Sequence, residues 1–342
     1  MKFGIFDHMD RGTVPLGEQY ENRLKLIEAY ERSGFDFYHI AEHHATPLGM
    51  APSPSVFLAA VAQRTKRLKF GPLVYTLPMY HPLRVAEEIC MLDQLSGGRL
   101  QVGVGRGISP HELEHYGVVA AQAQARYLEA FSILMQALTT GNVTFEGKFY
   151  TFRNVPMEVA PLQRPHPPLW YGVGNVEAVS WAARNGVNVV SNVPAARARE
   201  IMARYCAEWS AAGHEIAALP LVGMNRHVVV ADTTEQAISI ARRAYQVWHT
   251  SFFKLWERHG TRPSYALYPG TFDELEAMGL GVAGSPEKVR DVLTAQAGEA
   301  GINYLVCRLA FGDLALSESL RSLELYAGAV MPALAAVREA AE

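Results

Sequence analysis

Phe37-Tyr38-His39-Ile40-Ala41-Glu42-His43-His44 is the stretch on which the fold turns. Its first five residues, Phe37–Ala41, suit a short strand buried on both faces, as strands of a parallel sheet are. The strand then runs without a break into one carboxylate and two imidazoles, so three ionisable side chains stand at its C-terminal end. The amphipathic stretch before it, Glu18–Ser33, stops at Gly34, a residue that closes helices.

The same alternation repeats outward in both directions. Further strand candidates are Lys2–Phe6, Leu68–Leu73, Leu100–Gly105, Pro168–Gly172, Val187–Ser191, Leu221–Val230 and Tyr304–Arg308, which makes eight strand–helix pairs. Gly97-Gly98 ends the helix Pro82–Ser96, and Ser285-Pro286-Glu287 opens another with a cap and a first-turn proline. Eight such pairs predict an α/β fold, a (β/α)8 TIM barrel in one domain, whose active site lies at the strands' C-terminal ends. Two segments read as insertions after strands. Asn142–Pro167 contains the hairpin-like Phe145–Tyr150, and Trp248–Gly284 mixes aromatics, Gly and Pro without helical period. The second segment, with Trp256, Tyr265, Tyr268 and Phe272, is expected to be a lid or an ordered surface loop.

Composition narrows the classes. The chain has 342 residues, 49% of them hydrophobic and 19% charged, enough to bury a large core. A net charge of −3 with interspersed signs offers no basic stripe for nucleic acid. No apolar run approaches a membrane span and the first residues do not form a signal peptide, so a cytoplasmic location is expected. Cys90, Cys206 and Cys307 are far apart and read as reduced core thiols.

Three sites carry chemistry. Glu42, His43 and His44 are the catalytic candidates, because an imidazole at a barrel strand end can move protons near neutral pH; a structural or solvated histidine is the alternative. Adjacent histidines on extended chain point to opposite sides and no HExxH spacing occurs, so no metal is expected. Gly103-Val104-Gly105-Arg106-Gly107 places an arginine among glycines at the same face, suited to a phosphate or a flavin carbonyl, or else a tight turn with a surface arginine. Gly172-Val173-Gly174-Asn175 leads into a helix expected over Val176–Asn185, a start whose backbone N–H groups form an anion site. Arg126 could supply counter-charge there, or lie on a solvated helix face.

Taken together, Ala41–His44, Gly71-Pro72-Leu73-Val74, His81-Pro82-Leu83-Arg84, Leu92–Arg99 and Gly103–Gly107 resemble, in order and spacing, the bacterial luciferase-like flavin monooxygenases, with limonene- and alkanal-monooxygenase-like members nearest in wording. The resemblance is dense over Met1–Gly117 and leaves both insertions unmatched. It implies FMN, used in reduced form with dioxygen to oxidise a small organic substrate through a flavin hydroperoxide; the aromatics of the second insertion suggest that this substrate is apolar. It places His43 at the catalytic position with Glu42 beside it. A non-prolyl cis peptide against the flavin is implied at Pro72-Leu73, with further cofactor contacts at Gly105, Arg106, Arg126, Gly174, Asn175 and Val176. Gly105 stands where luciferase carries a reactive cysteine, so aldehyde specificity is not carried over. In the absence of a Rossmann fingerprint, a partner NAD(P)H:flavin reductase is expected to deliver the FMN. A homodimer through the apolar Val56–Ala62 stretch is likewise implied. The rivals are a deazaflavin (coenzyme F420)-dependent oxidoreductase, a non-catalytic FMN-binding protein and a metal-assisted hydrolase.

Overall fold

A computed structural model describes residues 1–263 and 268–339. Eight parallel strands form the barrel: β1 (Lys2–Asp7), β2 (Phe37–Ile40), β3 (Lys69–Pro72), β4 (Val102–Gly105), β5 (Leu169–Val173), β6 (Asn188–Ser191), β7 (Val222–Val230) and β8 (Tyr304–Arg308). Each pairs with its successor from β4 to β8, and β8 pairs back onto β1 with Lys2 opposite Tyr304. Between β3 and β4 the ladder is thinner. A bridge joins Phe70 to Leu100, and past Pro72 the chain resumes as Tyr75–Thr76, which pairs with Val104 and Gly105. The ring of strands is thereby complete, with helices around it.

Side chains fill the ring. Phe37, Trp170, Val190, Tyr304 and Val306 make a cluster inside it, with Trp170 and Tyr304 ring centres 5.3 Å apart. Gly4 on β1 makes room for Tyr304: a Cβ there would lie 1.7 Å from the phenol oxygen. That oxygen meets His39 Nε2 at 2.9 Å, and Gln101 Oε1 accepts from Trp170 Nε1 at 2.8 Å, so the phenol and the indole are partnered, whereas His39 Nδ1 is buried with no partner among the described residues. Gly97 ends the helix Pro82–Ser96 at φ 65°, a left-handed conformation that costs glycine little.

The sequence-based expectations hold for all eight strands, with ends shifted by a residue or two, and for the hairpin, whose strands Asn142–Glu146 and Thr151–Pro156 pair antiparallel. Three expectations need correction. The hairpin follows the helix Ala123–Thr140 and not a strand. Trp248–Arg258 is no loop but the second half of a 25-residue helix, Thr234–Arg258, whose buried face carries Ala237, Ala241, Ala244, Tyr245, Trp248 and Phe252 at helical spacing. Farther on, Gly281–Gly284 pairs parallel with the end of β7, so the supposed insertion returns to the sheet. Finally, the helix after β5 begins at Val179 instead of Val176, because Asn175 turns its side chain back to accept from Ala178 N at 2.9 Å. Tyr265 lies outside the described residues. No helix among the described residues is long and apolar enough to cross a membrane.

Candidate active site

A cleft of about 670 Å3 opens at the C-terminal ends of the strands, where the barrel geometry places it. Of the three ionisable residues expected there, Glu42 and His43 line the cleft and His44 does not, and the three do different work. The Glu42 side chain is fully buried. Its Oε2 accepts from Thr76 N at 3.1 Å and from the Tyr80 hydroxyl at 2.9 Å, while Oε1 meets His44 Nε2 at 2.8 Å. The other ring nitrogen of His44 meets the Tyr116 hydroxyl at 2.8 Å. Burial, and then the Glu42 carboxylate, push the Tyr80 phenol far above its ordinary range, so it stays a donor. Glu42 and His44 are therefore held from all sides.

His43 is the one with spare capacity. It lines the cleft, and its Nδ1 meets Glu112 Oε1 at 3.1 Å. A carboxylate oxygen accepts, so Nδ1 is the nitrogen that carries the hydrogen in this contact and Nε2 is left for another partner. Among the described residues nothing meets Nε2. Glu112 comes from the short helix Pro110–His115, where Ser109 caps the helix by accepting from Glu112 N, and its second oxygen accepts from His44 N at 3.0 Å. One carboxylate thus fixes both the ring and the backbone of the histidine pair.

Next to His43 stands His8, at the end of β1, with ring centres 5.6 Å apart. Its Nδ1 accepts from Trp248 Nε1 at 3.3 Å. Burial, then Arg308, then the neighbouring histidines drive the His8 pKa well below the ordinary 6.5, leaving it neutral. Arg308, the last residue of β8, also reaches the cleft, with Asn192, just past β6, and Tyr268 beside it.

Of the cofactor-contact expectations, Leu73, Gly105, Arg106 and Gly174 line the cleft. Pro72, Arg126, Asn175 and Val176 are not among its described lining residues. Arg126 donates to the Tyr150 hydroxyl at 3.1 Å and lies over the Phe149 and Tyr150 rings of the hairpin, which draws it away. The cis peptide joins Leu73 to Val74, one residue later than expected, since Leu73 N is still held in the sheet by Ile40 O at 2.8 Å. Of the aromatics expected in a lid, Tyr268 lines the cleft, while Trp256 and Phe272 are buried in packing. The residues that sequence reasoning missed, His8, Glu112, Asn192 and Arg308, carried a partial signal. His8, Asn192 and Arg308 sit at or one residue past strand ends, close to where Glu42 stands two residues past β2.

The luciferase-like monooxygenase family model matches residues 1–304. This chain belongs to that family. Among relatives of this luciferase-like protein is one designated y4wF from Sinorhizobium fredii, 44% identical over 320 residues that cover 94% of this chain and 93% of that one. Another is the oxygenase component of a flavin-dependent trigonelline monooxygenase from Acinetobacter baylyi, 28% identical over 280 residues, 80% of this chain and 77% of that one. The crystal structure of the monooxygenase RslO1 from Streptomyces bottropensis superposes with a TM-score of 0.86 at 26% identity, covering 97% of this luciferase-like chain and 99% of that one.

Proposed function

We propose that this chain is the oxygenase component of a two-component flavin monooxygenase, taking reduced FMN from a separate NAD(P)H:flavin reductase and using dioxygen to oxidise a small organic substrate with an apolar body. The observation that carries this reading is a bare backbone floor beside a free cation. Gly172 and Gly174 both line the cleft with no atom within 4 Å of where a Cβ would stand. Arg106 is exposed at the same cleft, with no hydrogen bond or ion pair given to it by any described residue. A flat ring needs the first and a phosphate needs the second.

Bound there, reduced FMN would supply the electrons that activate dioxygen. The protein's own part is to position and to handle protons. His43 can take or return a proton at Nε2 while Glu112 stabilises the charge at Nδ1. Phe6, Leu73 and Phe252 keep one wall of the cleft apolar, which limits water around the reacting centre. The relative's description as an oxygenase component supports a separate reductase here. A homodimer through the helix Pro54–Arg64 belongs to the same reading, and Val56 on it is 73% exposed.

Anaerobic titration with reduced FMN tests the proposal. Binding should saturate at one flavin per chain, and Arg106→Ala should weaken it about tenfold, the worth of one charge-assisted phosphate contact. Failure of the wild-type chain to bind reduced FMN, with binding of reduced coenzyme F420 instead, would transfer the chain to hydride chemistry.

A further inference from the structure

Arg308 is a cation sealed into the cleft wall without a counter-ion among the described residues. It is 3% exposed, yet it lines the cavity. Its guanidinium donates from Nη1 to the His227 ring at 3.1 Å and from Nη2 to the Tyr268 hydroxyl at 3.2 Å. Its Nε is buried with no partner among the described residues. Phe6, Trp248 and Tyr268 surround it, with ring centres 5.0, 5.4 and 5.7 Å away. No carboxylate of the described residues lies within ion-pair distance, and the two acids that line the cleft, Glu42 and Glu112, are committed to other groups. Arg226, another buried arginine, shows how a structural role is met: it finds the Gln296 Oε1 at 2.7 Å and the Asn225 carbonyl at 2.8 Å.

The groups around Arg308 do not neutralise it. His227 is pushed well below its ordinary pKa by burial and then by Arg308 itself, so it is a neutral partner. Tyr268 accepts from Arg308 and, at 2.8 Å, from Asn192 Nδ2, which leaves its own hydroxyl hydrogen to be donated elsewhere. A buried, unpaired charge is costly, and ring faces offset that cost only in part. Unlike Arg226, whose charge is met by the Gln296 amide and the Asn225 carbonyl, Arg308 keeps an unmet donor at a cavity wall, where a ligand can complete it.

We infer that Arg308 and the Tyr268 hydroxyl form the subsite for an anionic group of the substrate, and that this group is the carboxylate of a planar aromatic acid. A carboxylate accepts from both donors at once, and the aromatic residues Phe6, Phe252 and Tyr268 suit the body attached to it. The inference rests on the cleft being the substrate site of the proposed monooxygenase, and it names the substrate class for that site.

Calorimetry and tryptophan-fluorescence titration with benzoate, and with benzamide as its uncharged counterpart, test it on the intact protein without flavin. Benzoate should bind at least tenfold more tightly than benzamide. Arg308→Met should lose that preference while changing the affinity for reduced FMN less than twofold. Should Arg308→Met fail to fold, Tyr268→Phe replaces it, with an expected loss of threefold to tenfold in benzoate affinity. Equal binding of the two probes, or benzoate binding that survives Arg308→Met or Tyr268→Phe, overturns the inference. So does a loss of reduced FMN affinity in Arg308→Met that matches the loss for benzoate, since the charge would then serve the cofactor. Failure of the wild-type protein to bind reduced FMN sinks the monooxygenase reading alone, because the benzoate preference is measured without it.

Discussion

Two oxygens of Glu42 satisfy a backbone amide, a phenol and an imidazole at once. Glu42→Ala strands all of them. The expected loss is about 2–5 kcal/mol of stability, read as a shift of the urea midpoint at constant slope. His43→Gln, one position on, should cost less than about 1 kcal/mol, since His43 has one described bond and faces the cleft, but should lower turnover by about 10²–10⁴. Equal stability losses in the two variants would contradict this division of labour. From sequence, the three residues could be located but not told apart, because burial and spare lone pairs depend on Thr76, Tyr80 and Glu112, which come from other segments. Glu112 was doubly hidden: Ser109-Pro110-His111-Glu112 has the spelling of a helix cap, and the cap is real, yet the carboxylate is turned to the histidines.

Among the elements, the strands were the most legible, because each is a short apolar run between turn residues and buried on both sides. The long helix Thr234–Arg258 was not, since its second half buries Trp248, Phe252, Phe253 and Trp256, bulky aromatics that carry little helical preference of their own. Close strand approach also resists sequence reading. At Gly103 a Cβ would lie 2.2 Å from the Pro72 carbonyl oxygen, a backbone atom that cannot rotate away. Gly103→Ala is therefore expected to part β3 from β4 and to cost several kcal/mol, seen as a fall in the melting temperature of about 5 °C or more. Gly172→Ala meets open space and should melt with the wild type, but its methyl would stand on the proposed flavin floor and weaken reduced FMN binding. A Gly172→Ala protein with unchanged FMN affinity would move the flavin off that floor.

For the whole molecule, burial of ionisable groups sets the response to acid. His8, His39 and His227 are neutral in the fold, pushed below 6.5 chiefly by burial, His39 to about 3. Unfolding below pH 6.5 lets each take up a proton, so their contribution is complete above that pH and is lost as the pH falls toward their folded values. Asp10 acts in the opposite sense. Burial raises it from 3.8 to about 7, so its contribution is full at low pH and is lost as the pH rises through 7. His111 and His249 are lowered as well, so the histidines outnumber the one raised carboxyl and unfolding near pH 5 takes up protons on balance. Stability should fall between pH 7 and pH 5, by about 1.4 kcal/mol per pH unit for each net proton. A higher urea midpoint at pH 5 than at pH 7 would show that these histidines are not buried as neutral rings.

The pairing of β1 with β8 sets a timetable for synthesis. Lys2 lies opposite Tyr304, and the tyrosine that occupies the gap left by Gly4 is itself on the last strand. On a ribosome adding about 5–20 residues per second, the first strand waits roughly 15–60 s for that neighbour, with one edge open throughout. During that interval, pairing with the same edge on another nascent chain competes with barrel closure. Crowded polysomes and high expression therefore favour aggregation of this chain, and slower translation over its last third, which lengthens the wait, should lower the soluble yield.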